Sequence, residues 1–262
     1  MEKARFAIIG GTGFESLFTD AEKVYLGTPY GIPPPLSVGK IGGERVILLH
    51  RHGVGHLNPP HKINYRANVY ALYEMGVERI VAVNAVGAIN SGFRPGAFVL
   101  PHDFIDFTRL RHTTFYDEAP VTHVDVSQPY CPEMRGIFVE KAGELGLPLC
   151  DKAVLVCTEG PRFETPAEIE MFRRLGCDIV GMTGVPEVVL ARELQMCYVA
   201  ICFVSNMAAG MQERLTSHDV SRVCKEITPK LEQLLTETVK ALSLKSERNC
   251  PCATSLEPAR TK

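Results

Sequence analysis

Short apolar runs alternate with helix-like stretches along most of the chain, and that alternation confines it to a largely buried sheet covered by helices. The apolar runs predict strands over 5–9, 46–49, 79–83, 154–157, 178–180 and 198–204. Helical spacing predicts helices over 61–74, 132–145, 166–175, 185–193 and 218–242. In the last of these, Val220, Val223, Ile227, Leu231, Leu234 and Leu235 step by threes and fours, and Pro229 is expected to kink or split it. Residues 86–130 are richer in Gly, Pro, His and Asp and read as long loops with short strands.

At 262 residues the chain can bury a full core without disulfide staples. No repeat or linker interrupts it, so residues 1–244 read as one domain and 245–262 as a tail, poorly ordered unless tied down. Its 28 basic and 30 acidic residues leave a net charge of −2, which gives no footprint for nucleic acid or an anionic membrane. No apolar run approaches the ~18 residues of a membrane span. The first residues lack a signal-peptide pattern, so a cytoplasmic location is expected.

Polar residues gather where the strands finish. Thr12 follows the first in Gly10-Gly11-Thr12-Gly13, Arg51 and His52 follow the second, and Asn84 and Ala85 the third. Phe163 and Glu164 follow the fourth, Met182 and Thr183 the fifth, and Asn206 the last. In an α/β sheet the carboxyl edge of the strands is where ligands bind. Glycines after a strand let backbone N–H groups approach an anion, and an arginine fork suits phosphate oxygens. The glycine turn lacks the third glycine and downstream acid of a dinucleotide site, and no Gly-Lys-Ser/Thr follows. A nicotinamide-dependent oxidoreductase and a non-catalytic nucleotide-binding protein therefore stand as distant alternatives. His56 and His61 read as surface-loop histidines, since they share no helix face and lack a ligand-spaced carboxylate. Glu164 has a plainer reading as an acid at a helix start.

The segments Ile8-Ile-Gly-Gly-Thr-Gly13, Arg51-His52-Gly53, Asn64-Tyr-x-Ala67-Asn68, Glu159-Gly-Pro-Arg-Phe163, Gly181-Met182-Thr183 and Val185-Pro-Glu-Val-Val189 resemble the purine nucleoside phosphorylase and methylthioadenosine phosphorylase family. The likeness runs from about residue 6 to about residue 242, and the phrasing is nearer the methylthioadenosine branch. It implies a three-layer α/β fold with a mixed, partly barrel-like central sheet, assembled as a trimer or dimer of trimers. It implies a purine nucleoside and phosphate as substrates, with no metal or organic cofactor. By motif, Thr12, Arg51, His52, Asn84, Ala85 and Thr183 resemble the phosphate site. Met182 resembles the residue under the ribose, Phe163 the aromatic beside the base, and Asn206 the base-recognition position. His123 is a candidate to reach a neighbouring subunit's site.

The base-recognition positions depart from the methylthioadenosine branch. Where that branch carries two aspartates, this chain has Asn206 and Ala208. An Asn amide can donate to a 6-oxo group or N7, and Glu164 can accept from the N1–H that a 6-oxopurine carries. His218, at the start of the last helix, can bond a 5′-hydroxyl. The expected activity is phosphorolysis of inosine or guanosine, with Asn206 and Glu164 as catalytic residues; methylthioinosine or methylthioadenosine phosphorolysis is the alternative.

Nine cysteines complete the reading. Cys150, Cys157, Cys177, Cys197, Cys202 and Cys224 read as small core residues. Cys250-Pro251-Cys252 sits in the polar tail, and no second pair at zinc-site spacing partners it. A structural disulfide involving Cys250 and Cys252, or Cys131 and Cys197, is expected to pin the tail.

Overall fold

Strand and helix faces account for the architecture seen in the structure, a computed structural model that describes residues 3–11, 18, 21–213, 217–257 and 259; the side chains of 217–219 fall outside this set. The strands are β1 (Phe6–Gly10), β2 (Glu22–Val24), β3 (Leu36–Ile41), β4 (Glu44–His50), β5 (Arg79–Ala88), β6 (Phe98–Phe107), β7 (Leu149–Thr158), β8 (Ile179–Gly181) and β9 (Cys197–Met207). The helices are α1 (Tyr65–Glu74), α2 (Pro132–Glu144), α3 (Pro166–Arg174), α4 (Gly184–Glu193) and α5 (Ser217–Ser243).

The sheet order is β2-β3-β4-β1-β5-β8-β7-β6-β9, and β9 pairs back onto β5. The last five strands thus close into a small barrel, and the other four extend from β5 as an open wing. Pairing is mixed: β1 runs parallel to β4 and β5, whereas β8 is antiparallel to β5 and β6 to β9. The period-2 alternation of strands sends successive side chains to opposite faces. Ala7, Ile9, Ile47, Leu49, Ile80 and Ala82 pack with Val69 and Leu72 of α1 and Val188 and Leu190 of α4. Phe6, Ile8, Val46, Leu48, Val81 and Val83 pack with Ile137 and Phe138 of α2 and Leu231 and Leu234 of α5. Two covered faces make the expected three layers.

All six expected strands form, and four of the five helices match their expected spans closely; where a helix is expected over 61–74, a 3₁₀ turn at Pro60–Lys62 precedes α1, which starts at Tyr65. Strands β2 and β3 form where none is expected, and three further findings differ. Phe98–Phe107 is a ten-residue strand where loops are expected, with register shifts on both sides of Pro101 absorbing the missing donor. The strand expected over 79–83 runs on to Ala88, so Asn84 and Ala85 lie within β5 and not beyond its end. Helix α5 passes through Pro229 without splitting. One face of it is held by Val223, Ile227, Leu231, Leu234 and Leu235 in the core, so tertiary packing outweighs the lost backbone bond.

The tail is tied down. Arg5 Nη2 donates to the carbonyls of Lys245 and Ser246, and Arg79 Nη2 to that of Glu247. Arg248 Nη1 donates to the Gln195 carbonyl, Gln195 Nε2 to Ala253, and Ser255 Oγ to Arg192. Cys252 and Ala259 are buried. All nine cysteines are free thiols, so the expected bridge of Cys250 to Cys252, or of Cys131 to Cys197, does not form.

Candidate active site

The carboxyl end of β4 delivers Arg51 into the interior, where it is 2% exposed. A lone guanidinium there would be prohibitively costly, and the chain answers with Glu187 from α4. Arg51 Nε and Nη2 bond the two Glu187 carboxylate oxygens, the latter at 2.9 Å, and Arg51 Nη1 donates to the Val83 carbonyl at 3.0 Å. Tyr198 Oη donates to Glu187 Oε2 at 2.8 Å. Burial alone would lower the Arg51 pKa; the charge and hydrogen bonds of Glu187 outweigh it and hold the group above its ordinary value. Three donors are thereby committed, and the remaining N–H groups of Nη1 and Nη2 are available to an anion. A Cβ on Gly11 would come within 3.3 Å of Arg51 Nη1, so the glycine leaves that edge open.

Next along the chain, His52 Nδ1 lies 2.8 Å from the Asn58 carbonyl, which requires the proton on Nδ1 and leaves Nε2 as an acceptor. Burial and the adjacent Arg51 charge push its pKa down to about 4, so the ring is neutral at physiological pH. Its ring stacks on His56 at 4.0 Å.

Helix α4 begins at Gly184 with Thr183 at its N-cap, but the Thr183 hydroxyl does not cap the helix. It donates instead to Asn84 Oδ1 at 3.1 Å. The first N–H groups of α4 have no side-chain cap, which is the arrangement that attracts anions. The Asn84 Nδ2 donor is buried and has no hydrogen-bond partner among the described residues.

A second group of polar residues lines the same cavity. Helix α3 is capped by Thr165 and Glu168 in a reciprocal capping box, which overturns the plainer reading of Glu164 as the helix's acid. Glu164 turns inward, and its Oε1 accepts from Thr158 Oγ1 at 2.7 Å. On β9 the register with β5 jumps from Val86 opposite Val204 to Gly87 opposite Asn206, so Ser205 is an inserted bulge residue. The bulge re-aims the following side chain. Asn206 Oδ1 then accepts from Ser205 Oγ at 2.6 Å and Nδ2 donates to the Met207 carbonyl at 2.9 Å, leaving one Nδ2 hydrogen. A Cβ on Gly87 would approach Asn206 Nδ2 and Val180 Cγ1 to 3.2 Å, so any larger residue there presses on the amide.

These residues surround one cavity of about 260 Å³. Of the expected site residues, Arg51, His52, Asn84, Ala85, Phe163, Glu164, Met182, Thr183 and Asn206 all line it. Thr12 and the side chain of His218 lie outside the described residues, although Val220, in the first turn of α5, lines the cavity. His56 is exposed, as expected, yet it stands on the cavity rim. The sequence alone gives no role to Ser205, Gly87, Glu187 or Tyr198. Glu187 meets its partner from 136 positions away, and only the fold reveals the pair.

A closed barrel with a phosphate-suited corner beside an amide and a carboxylate defines a class, and comparison with known proteins names it. The family model for the phosphorylase superfamily matches residues 5–240. A probable S-methyl-5′-thioinosine phosphorylase from Methanopyrus kandleri is 50% identical over 254 residues, covering 96% of this chain and 97% of that protein. The 6-oxopurine nucleoside phosphorylase of Pyrococcus furiosus is 47% identical over 264 residues, covering 97% and 98%. Among solved structures, the methylthioadenosine phosphorylase of Schistosoma mansoni in complex with adenine superposes with a TM-score of 0.93 at 31% identity, covering 99% of both chains. The chain belongs to the phosphorylase superfamily, and it is an enzyme of the nucleoside phosphorylase type, a pentosyltransferase.

Proposed function

We propose that the protein is a 6-oxopurine nucleoside phosphorylase that converts inosine or guanosine and phosphate to the free base and ribose 1-phosphate in purine salvage. The observation that carries this reading is that Glu164 and Asn206 both line the cavity. Glu164 has Oε2 left to accept from a purine N1–H, and Asn206 has one amide hydrogen left to donate to O6 or N7. A 6-aminopurine presents a bare N1 lone pair to the carboxylate, which leaves a buried acceptor facing an acceptor.

Phosphate is the co-substrate, and no other cofactor belongs to the reading. The free N–H groups of Arg51, the N-terminus of α4, Thr183 and Asn84 hold it, with Thr12 contributing by motif. Neutral His52 accepts from the phosphate hydroxyl. A phosphate oxygen bonds to C1′ as the bond from C1′ to the purine nitrogen breaks, and the bond's electron pair leaves on the base. Asn206 stabilises that charge, while the phosphate offsets the positive sugar. Holding the two substrates together supplies much of the rest. Met182 lies under the ribose and Phe163, 43% exposed at the cavity mouth, covers the base. A homotrimer or dimer of trimers in the cytoplasm belongs to the same reading, with His123 reaching a neighbouring site.

A second reading, methylthioinosine as the nucleoside, is favoured by the apolar Val220 at the cavity wall and by the name of the Methanopyrus relative. Both readings require a 6-oxopurine. Asn206→Asp combined with Glu164→Ser tests that requirement. Inosine turnover is expected to fall by about 10²–10³-fold while adenosine gains relative to it. An unchanged ratio of the two would remove both residues from base recognition.

A further inference from the structure

The tail brings two cysteines against two others from the core. Cys131 precedes α2 as its N-cap, and its backbone N–H donates to the Tyr198 carbonyl at 2.8 Å, which fixes it beside Cys197 at the start of β9. Cys250 and Cys252 flank Pro251 at the start of a short 3₁₀ turn, Pro251–Thr254. The four Sγ atoms all lie within 4.8 Å of one another, and Cys197 and Cys250 are 3.3 Å apart. We propose that Cys131, Cys197, Cys250 and Cys252 form a structural tetrathiolate zinc site that fastens the C-terminal tail to the core.

The geometry is that of a tetrahedral site. Zinc–sulfur bonds of about 2.3 Å place the corners of a regular tetrahedron about 3.8 Å apart, within the spread observed. A disulfide demands sulfurs at about 2.05 Å, and none of the four cysteines is bridged. Four mutually close sulfurs also differ from two separate pairs, each of which would draw its members together and away from the others. Soft thiolates in a tetrahedral set select zinc or iron over oxygen-preferring cations. Three of the four cysteines are buried, which suits a closed structural site with no open coordination position.

The surroundings suit the charge. Binding is Zn²⁺ plus four thiols giving a tetrathiolate of net charge −2 and four released protons. Arg192, itself buried, donates from Nη1 to Cys252 Sγ at 3.0 Å. The N-terminus of α2 sits at Cys131 and favours a thiolate there. Arg192 also donates from Nε to the Asp125 carbonyl, which holds the guanidinium in place. The ligands come from a helix start, a strand start and a tail, so no linear zinc motif exists in the sequence. Because two ligands belong to the tail, metal binding and tail docking are one equilibrium.

The test is metal analysis of the full-length protein purified under reducing, anaerobic conditions, followed by chelation and titration with Zn²⁺ and, separately, Co²⁺. One zinc per chain is expected, together with the d–d and thiolate charge-transfer absorption of tetrahedral cobalt. Zinc is expected to restore the melting temperature that chelation lowers. Cys252→Ser is expected to reduce zinc to trace levels, whereas Cys150→Ser, away from the cluster, retains one per chain. The cobalt spectrum of the unsubstituted protein decides the matter if Cys252→Ser fails to fold. Iron in place of zinc, a metal-free protein with no thiolate absorption on adding cobalt, or fewer than nine titratable thiols in metal-free protein denatured without reductant would each overturn the proposal.

Discussion

Replacing Glu187 with Gln removes one charge from the interior and should impair phosphate use without touching any substrate-facing group. Glu187 accepts from Arg51 Nε, Arg51 Nη2 and Tyr198 Oη, and both it and Arg51 are almost completely buried. A Gln keeps one accepting oxygen and turns an NH₂ toward a guanidinium N–H. One charge-assisted hydrogen bond is lost, at roughly 1.5–3 kcal/mol, and the Arg51 charge stays buried without a counterion. Breaking a buried pair by removing one partner costs about 3–5 kcal/mol. At roughly 2–4 °C per kcal/mol for a chain of this size, the melting temperature should fall by about 6–20 °C. Arg51 must then seek another acceptor and lose its aim, so the phosphate KM should rise about tenfold or more while the nucleoside KM changes little. Saturation kinetics in each substrate, beside a thermal melt, read both effects. Glu187→Gln with unchanged stability and unchanged phosphate KM would refute the claim that this carboxylate positions Arg51. Arg51→Met with Glu187→Met supplies the control. The double variant should be far more stable than the sum of the single losses predicts, since an apolar pair can replace a buried ion pair.

Two further outcomes follow from the same geometry. NMR of the imidazole nitrogens should find His52 neutral at pH 6 and protonated on Nδ1, because its pKa is held near 4 against an ordinary 6.5. The unfolded state takes up this proton first as pH falls, so the stability contribution is complete above 6.5 and is lost towards 4; a His52 midpoint near 6.5 would contradict the burial argument. Gly87→Ala should cost about 1–3 kcal/mol of stability, because its Cβ meets Asn206 Nδ2 and Val180 Cγ1 at 3.2 Å. It should also lower kcat/KM by up to about 10²-fold through displacement of the amide, and wild-type kinetics in that variant would show that the contact does not set Asn206.

Much of this architecture is legible in the sequence. Strands β1, β4, β5, β7, β8 and β9 carry apolar runs because barrel and wing strands are covered on both faces. Strand β2 reads Glu-Lys-Val and lies at the sheet edge with its first two residues exposed, so no apolar signal marks it. Strand β6 hides behind Pro101, whose missing donor is tolerated only because the ladder is irregular there. The cavity residues were visible as polar residues following apolar runs. Their supporting groups were not. Ser205 looks like one more residue of β9 until the bulge is seen, and Glu187 looks like an ordinary first-turn acid until Arg51 arrives from another strand. The cysteines show the same limit most sharply. The Cys-Pro-Cys tail suggests a bridge, whereas the fold gathers four thiols from three regions of the chain.

Release of free base from four nucleosides, with and without phosphate, tests the central claim most directly. Inosine, methylthioinosine, adenosine and methylthioadenosine cover both choices at C6 and both at the 5′ position. The account predicts hypoxanthine release from at least one of the first two only when phosphate is present, with the phosphorylated sugar formed in equal amount. It predicts a kcat/KM for the better 6-oxopurine nucleoside roughly 10²-fold or more above that for either 6-aminopurine nucleoside. Faster release of adenine than of hypoxanthine would contradict the assignment of Glu164 and Asn206, and release of hypoxanthine without phosphate would contradict phosphorolysis itself.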